Sequence, residues 1–224
     1  MPKAKQKFTQ ANAKGQREEP LQMIPKASQP LMICIGGMSG SGKTTLAMEL
    51  ANRIPNSVVL DSDEVRKMAL GVPRTQPLPD SAYSPENTKK HIRRMHREAE
   101  YQLQAGKTVI VTGVFLDRDS RGNQENLAKE NNVKFIGIFL DAPMSVLFER
   151  VAERKKVASD ATPAIVRRQK HTTLMGQRGK QNWQTINADQ PKEDVTRAAI
   201  AYVSRKTANP NPSRKKPAAK PFPG

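Results

Sequence analysis

The stretch Gly37-Met38-Ser39-Gly40-Ser41-Gly42-Lys43-Thr44 decides the reading of this chain. It has the spacing G-x-x-x-x-G-K-T, followed by Thr45, of a loop that wraps phosphate, the P-loop. Its flanks are what such a loop needs. Leu31-Met32-Ile33-Cys34-Ile35 is a short apolar run before it, and Leu46, Leu50 and Ile54 recur at helical spacing after it. The order predicted is strand, glycine loop, helix. Glycines let the backbone bend so that its N–H groups converge on phosphate oxygens, and the helix beginning near Gly42 adds the positive end of its dipole. Residues Gly37 to Thr45 are therefore the expected nucleotide-binding set. Lys43 reaches the β- and γ-phosphates of ATP, and Thr44 offers a hydroxyl to Mg²⁺. The motif alone does not separate a kinase from other nucleotide hydrolases.

Outward from this loop, strands and helices alternate. Ser57-Val58-Val59-Leu60, Thr108-Val109-Ile110-Val111 and the apolar run Val133 to Leu140 read as further strands, with a short fifth at Trp183 to Asn187. Helices are expected at Glu64–Leu70, from a Ser84 cap and Pro85 to Gly106, from an Asp119 or Ser120 cap to Asn131, after Pro143, from Pro163, and at Asp194–Val203. In the second long helix Ile92, Met95, Ala99 and Leu103 make the expected buried stripe, and Lys89, Lys90, Arg93, Arg94 and Arg97 lie on other faces. Residues 71–84, with Pro73, Pro77 and Pro79, have no period and read as an irregular loop on the acceptor side. Alternation of this kind implies an α/β fold: a parallel sheet covered on both faces, with ligands at the carboxyl ends of its strands.

The chain has 224 residues and a formal charge of +17. Residues 1–30 supply +4 and residues 204–224 supply +6, so the ends carry more than half of the excess. Both ends are rich in Pro, Lys, Ala, Asn and Gln and are expected to be disordered basic arms around one domain at residues 31–203. They read as solubilising ends in preference to arms that touch nucleic acid, because no aromatic residue is interleaved except Phe8 and Phe222. Cys34, the only cysteine, sits in an apolar strand and is expected in the core. With no disulfide, no apolar leader and no membrane-length run, the expected setting is cytoplasmic. His91, His96 and His171 lack zinc spacing and read as surface or acceptor-side residues.

Two further groups carry chemistry. Asp61-x-Asp63-x-x-Arg66 closes the second strand. A carboxylate there can take the proton of an attacking hydroxyl, and its neighbour can hold Mg²⁺, which places Asp61 in the metal site. Arg66 lies one helical turn on, where it can hold an anionic group of the acceptor. Arg150 and Arg154 share a helix face ahead of a charged segment and are expected to close as a helical lid over residues 150–170.

Taken in order, these pieces resemble the AAA_33-type P-loop kinases, relatives of the polynucleotide kinase 5′-kinase domain, of shikimate and gluconate kinases and of zeta toxins. The resemblance rests on Gly37 to Thr45, Leu60 to Lys67, Ala105 to Ile110, Arg121 with Leu127-Ala128, Leu140 to Pro143, Arg150 to Arg154, and Ser159 to Thr162 with Gln169. It implies a five-stranded parallel sheet of order 2-3-1-4-5. It also implies ATP and Mg²⁺ as cofactors, Asp63 as general base, Arg66 as acceptor contact and Arg154 in the phosphate lid. The expected activity is transfer of the γ-phosphoryl to a hydroxyl, on a 5′-hydroxyl nucleic acid or a small metabolite. One departure stands out: where the family has an aspartate ending the third strand, this chain has Val111-Thr112-Gly113, with no acid until Asp117. That departure supports an alternative, a nucleotide-binding switch or polyanion-binding adaptor with little transferase activity. A zeta-toxin-like nucleotide-sugar kinase is a third reading.

Overall fold

Strand β1 (Leu31–Gly37) is buried along its whole length and pairs in parallel on both sides. Its side chains alternate between two cores, as a pleated strand requires. Ile33 and Ile35 join one cluster with Leu46, Leu50, Ile138 and Val203. Met32 and Cys34 join the other with Val109, Met95, Ala99 and Leu127. The continuous apolar run is thus the mark of a strand covered on both faces. Burial holds the Cys34 thiol well above its usual pKa, so it is a small core residue as expected.

The computed structural model describes residues 22–24, 27–153, 164–167, 169 and 182–208. Around β1 lie β2 (Ser57–Asp61), β3 (Thr108–Thr112), β4 (Lys134–Asp141) and β5 (Trp183–Asn187). All pairings are parallel and the order is β2-β3-β1-β4-β5, the order implied by the resemblance. The connecting helices are α1 (Lys43–Ala51), α2 (Ser62–Ala69), α3 (Pro85–Gln104), α4 (Arg118–Glu130), α5 (Met144–Ala152) and α6 (Lys192–Ala208). Clusters containing α1 and α6 cover one face, and clusters containing α3 and α4 cover the other. Among the described residues no helix is long and apolar enough to cross a membrane.

Several local expectations are corrected. Helix α2 starts at Ser62, because the Asp61 side chain accepts from the Asp63 and Glu64 amides and begins the helix two residues early. Helix α4 is capped by Asp117, whose carboxylate takes the Ser120 amide at 2.7 Å, and not by Asp119 or Ser120. Helix α6 runs from Lys192 to Ala208, so residues expected in the C-terminal arm continue the helix. On α3 the buried stripe is His91, Met95, Ala99 and Leu103, while Ile92 is 41% exposed.

The segment between α2 and α3 is also more ordered than an irregular loop, since residues Asp80–Tyr83 form a 3-10 turn. Two consecutive cations of α2 tie it down. Lys67, 1% exposed, donates to the Arg74 and Gln76 carbonyls at 3.1 and 2.5 Å. Arg66, 9% exposed, donates to the Ala82 carbonyl at 2.8 Å. A buried cation survives when its donors are occupied, and these carbonyls are the partners.

Candidate active site

Parallel pairing sets the site before any side chain does. Register places Asp61 beside Thr112 and Gly37 beside Leu140, all at the carboxyl edge of the sheet. The loop that leaves β1 turns sharply there. Gly37 has φ 139°, and a Cβ on it would come within 2.5 Å of the Leu140 carbonyl oxygen. Gly42 has φ 93° and precedes α1 with no side-chain cap. The first-turn amides of α1 therefore have no side chain competing for them, which is the donor set an anion uses. Ser41 Oγ is buried in the same loop and has no hydrogen-bond partner among the described residues.

Lys43 Nζ folds back to the Met38 carbonyl at 3.0 Å, spanning the loop it belongs to. Ser39 is gripped from outside: its amide donates to Gln169 Oε1 at 2.9 Å, and Gln169 Nε2 reaches Ser39 Oγ at 3.2 Å. Nearby Val166 packs with Met38, Leu147 and Val151. Residues 164–167 are helical, so the P-loop rests against that segment as well as against the sheet.

Asp61 is the hub. It is 6% exposed, and four hydrogen bonds converge on its carboxylate. Oδ1 accepts the Asp63 and Glu64 amides at 3.0 and 3.2 Å. Oδ2 accepts the Thr44 and Thr112 hydroxyls, each at 2.8 Å. Thr112, the last residue of β3, thus supplies a donor to Asp61. Hydroxyl and carboxylate oxygens are hard donors of the kind Mg²⁺ takes alongside phosphates and water, so Thr44 and Asp61 fit a Mg²⁺ site.

Asp63 stands half-buried in the first turn of α2, close enough for its charge to act on Arg66. The structure brings Thr44, Asp61 and Thr112 together, with Lys43 one residue before Thr44 but turned back to its own loop, and Asp63 next along α2. Arg66 faces the 80–83 turn: besides Ala82, its guanidinium lies 4.9 Å from the Tyr83 ring centroid. Burial pushes its pKa down, and Tyr83 and Asp63 oppose that shift. Beside it His91 Nε2 meets Ser62 Oγ at 3.0 Å. Burial first, then the charges of Arg66 and Arg94, lower the His91 pKa to about 4, so the ring is neutral at pH 7.

On the opposite side of the P-loop a recess of about 380 Å³ is lined by Gly40–Gly42, Thr45, Arg150, Ala188 and Lys192, among others. Its volume suits a small ligand. Arg150 donates to the Ala188 carbonyl at 2.9 Å, and Lys192 is held by Glu49 at 2.5 Å. Arg150 therefore belongs to this recess and bridges α5 to the β5–α6 connection. Arg154 and most of the expected lid lie outside the described residues. His171 does too.

Sequence reasoning missed Ser62, His91, Lys67 and the role of Gln169. Lys67 had a signal: prolines 73, 77 and 79 cannot donate, and their segment offers carbonyls to a nearby cation. Arg121 is buried and donates to the Phe115 and Leu116 carbonyls, each at 3.0 Å, so it shapes the β3–α4 loop.

Fold and site together define a P-loop kinase type of nucleotide-binding protein. A family model described as "AAA domain", AAA_33, matches residues 32–174, and the chain belongs to that family. An adenylyl-sulfate kinase of Pseudomonas aeruginosa is 35% identical over 125 residues, 54% of this chain and 58% of that protein. The chain spans about three fifths of the length of the first curated relatives it matches. A gluconokinase structure from Sinorhizobium meliloti covers 84% of this chain and 96% of its own, with 23% identity and TM-score 0.55. The Mycobacterium tuberculosis APS kinase CysC, solved with AMPPNP and APS, covers 78% of this chain and 98% of its own, with 20% identity and TM-score 0.56.

Proposed function

We propose that this chain is an ATP-dependent phosphotransferase that moves the γ-phosphoryl of ATP to a hydroxyl acceptor. The observation that carries the reading is the contact of Thr44 and Thr112 with Asp61 at the mouth of the P-loop, with Asp63 one step further along α2. The adenosine part of ATP fits the recess beside Arg150, and the loop amides from Gly37 to Thr45 hold the phosphates. Lys43 exchanges the Met38 carbonyl for phosphate oxygens. Thr44 and Asp61 would hold Mg²⁺, which when bound neutralises charge on the β- and γ-phosphates.

In the transfer step the acceptor oxygen bonds to the γ-phosphorus while the bond from phosphorus to the β–γ bridging oxygen breaks. ADP leaves with the bond electrons, and the hydroxyl proton passes to the Asp63 carboxylate. Arg66 holds the acceptor wall through Ala82 and Tyr83, and an acceptor that displaces this wall meets the guanidinium. Arg154 is proposed as the lid residue over the phosphates. The names of the relatives carry different acceptors, so the choice between a 5′-hydroxyl nucleic acid and a small metabolite rests on this chain's own surface. A cytoplasmic setting is proposed on the same terms.

The second reading, a nucleotide-binding switch with little transfer, draws on Thr112 standing where the resembling family has an acid. The test that separates them is labelled-phosphate transfer from ATP across a panel of hydroxyl acceptors. The proposal expects product with the natural chain and none with Lys43→Ala. Tight ATP binding with no transfer to any acceptor favours the switch.

A further inference from the structure

We propose that the solvent face of α3 is a docking surface for single-stranded nucleic acid. Lys89, Lys90, Arg93, Arg94 and Arg97 are all exposed, on the side of the helix away from the buried His91, Met95, Ala99 and Leu103. Lys90 is paired with Glu86 at 2.8 Å. Lys89, Arg93, Arg94 and Arg97 form no ion pair with the described residues. Four cations with no ion pair to a described residue lie within nine residues; they repel one another, and an anionic partner relieves that repulsion.

Their order suits a linear polyanion. Lys89, Arg93 and Arg97 succeed one another every four residues, a rise of about 6 Å per step along the helix axis. That is near the repeat of an extended phosphodiester chain. Lys90, Arg93, His96 and Arg97 flank an open, shallow depression on this face.

One exposed aromatic ring continues the row, whereas the Tyr83 ring is taken up by the Arg66 guanidinium. Tyr101, 66% exposed, lies one turn beyond Arg97 on the same helix. A cationic track with exposed rings on which bases stack is the arrangement by which proteins hold unpaired strands. A membrane surface is a poorer fit, because an interfacial helix needs an apolar face to insert and that of α3 is already packed on the sheet. A duplex offers no free base face to Tyr101.

This surface stands whether or not the chain transfers phosphate, and its test needs no ATP. Fluorescence anisotropy of a labelled 12-nucleotide single strand is measured against the full chain, its basic arms retained, over a series of salt concentrations. Three variants are compared: Arg93→Gln/Arg97→Gln, Tyr101→Ala, and a charge-matched control on α4, Arg118→Gln/Lys129→Gln. Each single-strand phosphate contact contributes about 0.7 to the slope of log affinity against log salt. The proposal expects the α3 double variant to bind at least tenfold more weakly with a slope shallower by about 1.4. It expects Tyr101→Ala to weaken binding severalfold at unchanged slope, and the control to match the natural chain. An α3 variant that binds within twofold of the natural chain overturns it. So does an equal loss in the control, or tighter binding to duplex or to anionic phosphatidylserine vesicles than to the single strand.

Discussion

Replacing Thr112 by valine keeps shape and volume and removes one hydroxyl. Thr112 is 2% exposed, so no solvent waits to replace that donor. Its bond to Asp61 Oδ2 is 2.8 Å long and its acceptor is a carboxylate. Hydrogen bonds to charged groups contribute about 1.5–3 kcal/mol, roughly twice the neutral value. Asp61 keeps three donors, from Thr44, Asp63 and Glu64, so the change does not strand a bare charge. The expected loss is therefore about 2 kcal/mol, which for a chain of this size lowers Tm by roughly 4–8 °C. Thr112→Ser, which restores the hydroxyl, recovers most of it. Urea unfolding with an unchanged m-value measures the difference directly. A Thr112→Val loss below about 0.5 kcal/mol would refute the view that this hydroxyl holds the carboxylate of the site.

Lys67→Ala strands the Arg74 and Gln76 carbonyls and is expected to cost about 2–5 kcal/mol, read by urea unfolding, with earlier proteolytic cutting within residues 71–79. His91 is a pH sensor of stability. Its folded pKa is about 4 against about 6.5 unfolded, so below pH 6.5 the unfolded chain takes up a proton that the folded chain refuses. Stability conferred by the neutral ring is complete above pH 6.5 and drains away as pH falls toward 4, by at most about 1.4 kcal/mol per unit. Denaturation midpoints from pH 7 to 4 show this slope, and His91→Asn flattens it. Arg150→Ala removes a wall of the recess and its tie to Ala188, and is expected to weaken ATP binding about tenfold by titration calorimetry.

The parts legible in the sequence are those whose cause is local. A glycine loop between an apolar strand and an amphipathic helix announces itself, and so does a buried strand such as Val133 to Leu140. The exchange of Ile92 for His91 in the buried stripe shows where periodicity stops: both residues sit at helical spacing from Met95. What decides between them is Ser62 on another helix, which gives the imidazole a partner. Asp61 is similar. Its capping role follows from its place before α2, but its bond to Thr112 depends on a strand pairing between residues 51 positions apart. Arg150 read as a lid residue because its neighbours in sequence are charged. Its recess is completed by Ala188 and Lys192, which reach it only once β5 has joined the sheet. The turn at Asp80–Tyr83 was hidden for a different reason: the cation that ties it down, Arg66, lies on α2, outside the segment itself.

The division of labour between Asp61 and Asp63 is the centre of this account, and Asp63→Asn tests it. Carboxamide in place of carboxylate keeps size and polarity and removes the proton acceptor. The measurement is single-turnover transfer of labelled γ-phosphoryl from ATP, beside calorimetric ATP affinity for the same preparation. The account predicts transfer reduced by about 10²–10⁴-fold, the usual worth of a general base, with ATP affinity within threefold of the natural chain. Transfer by Asp63→Asn at the natural rate would contradict it.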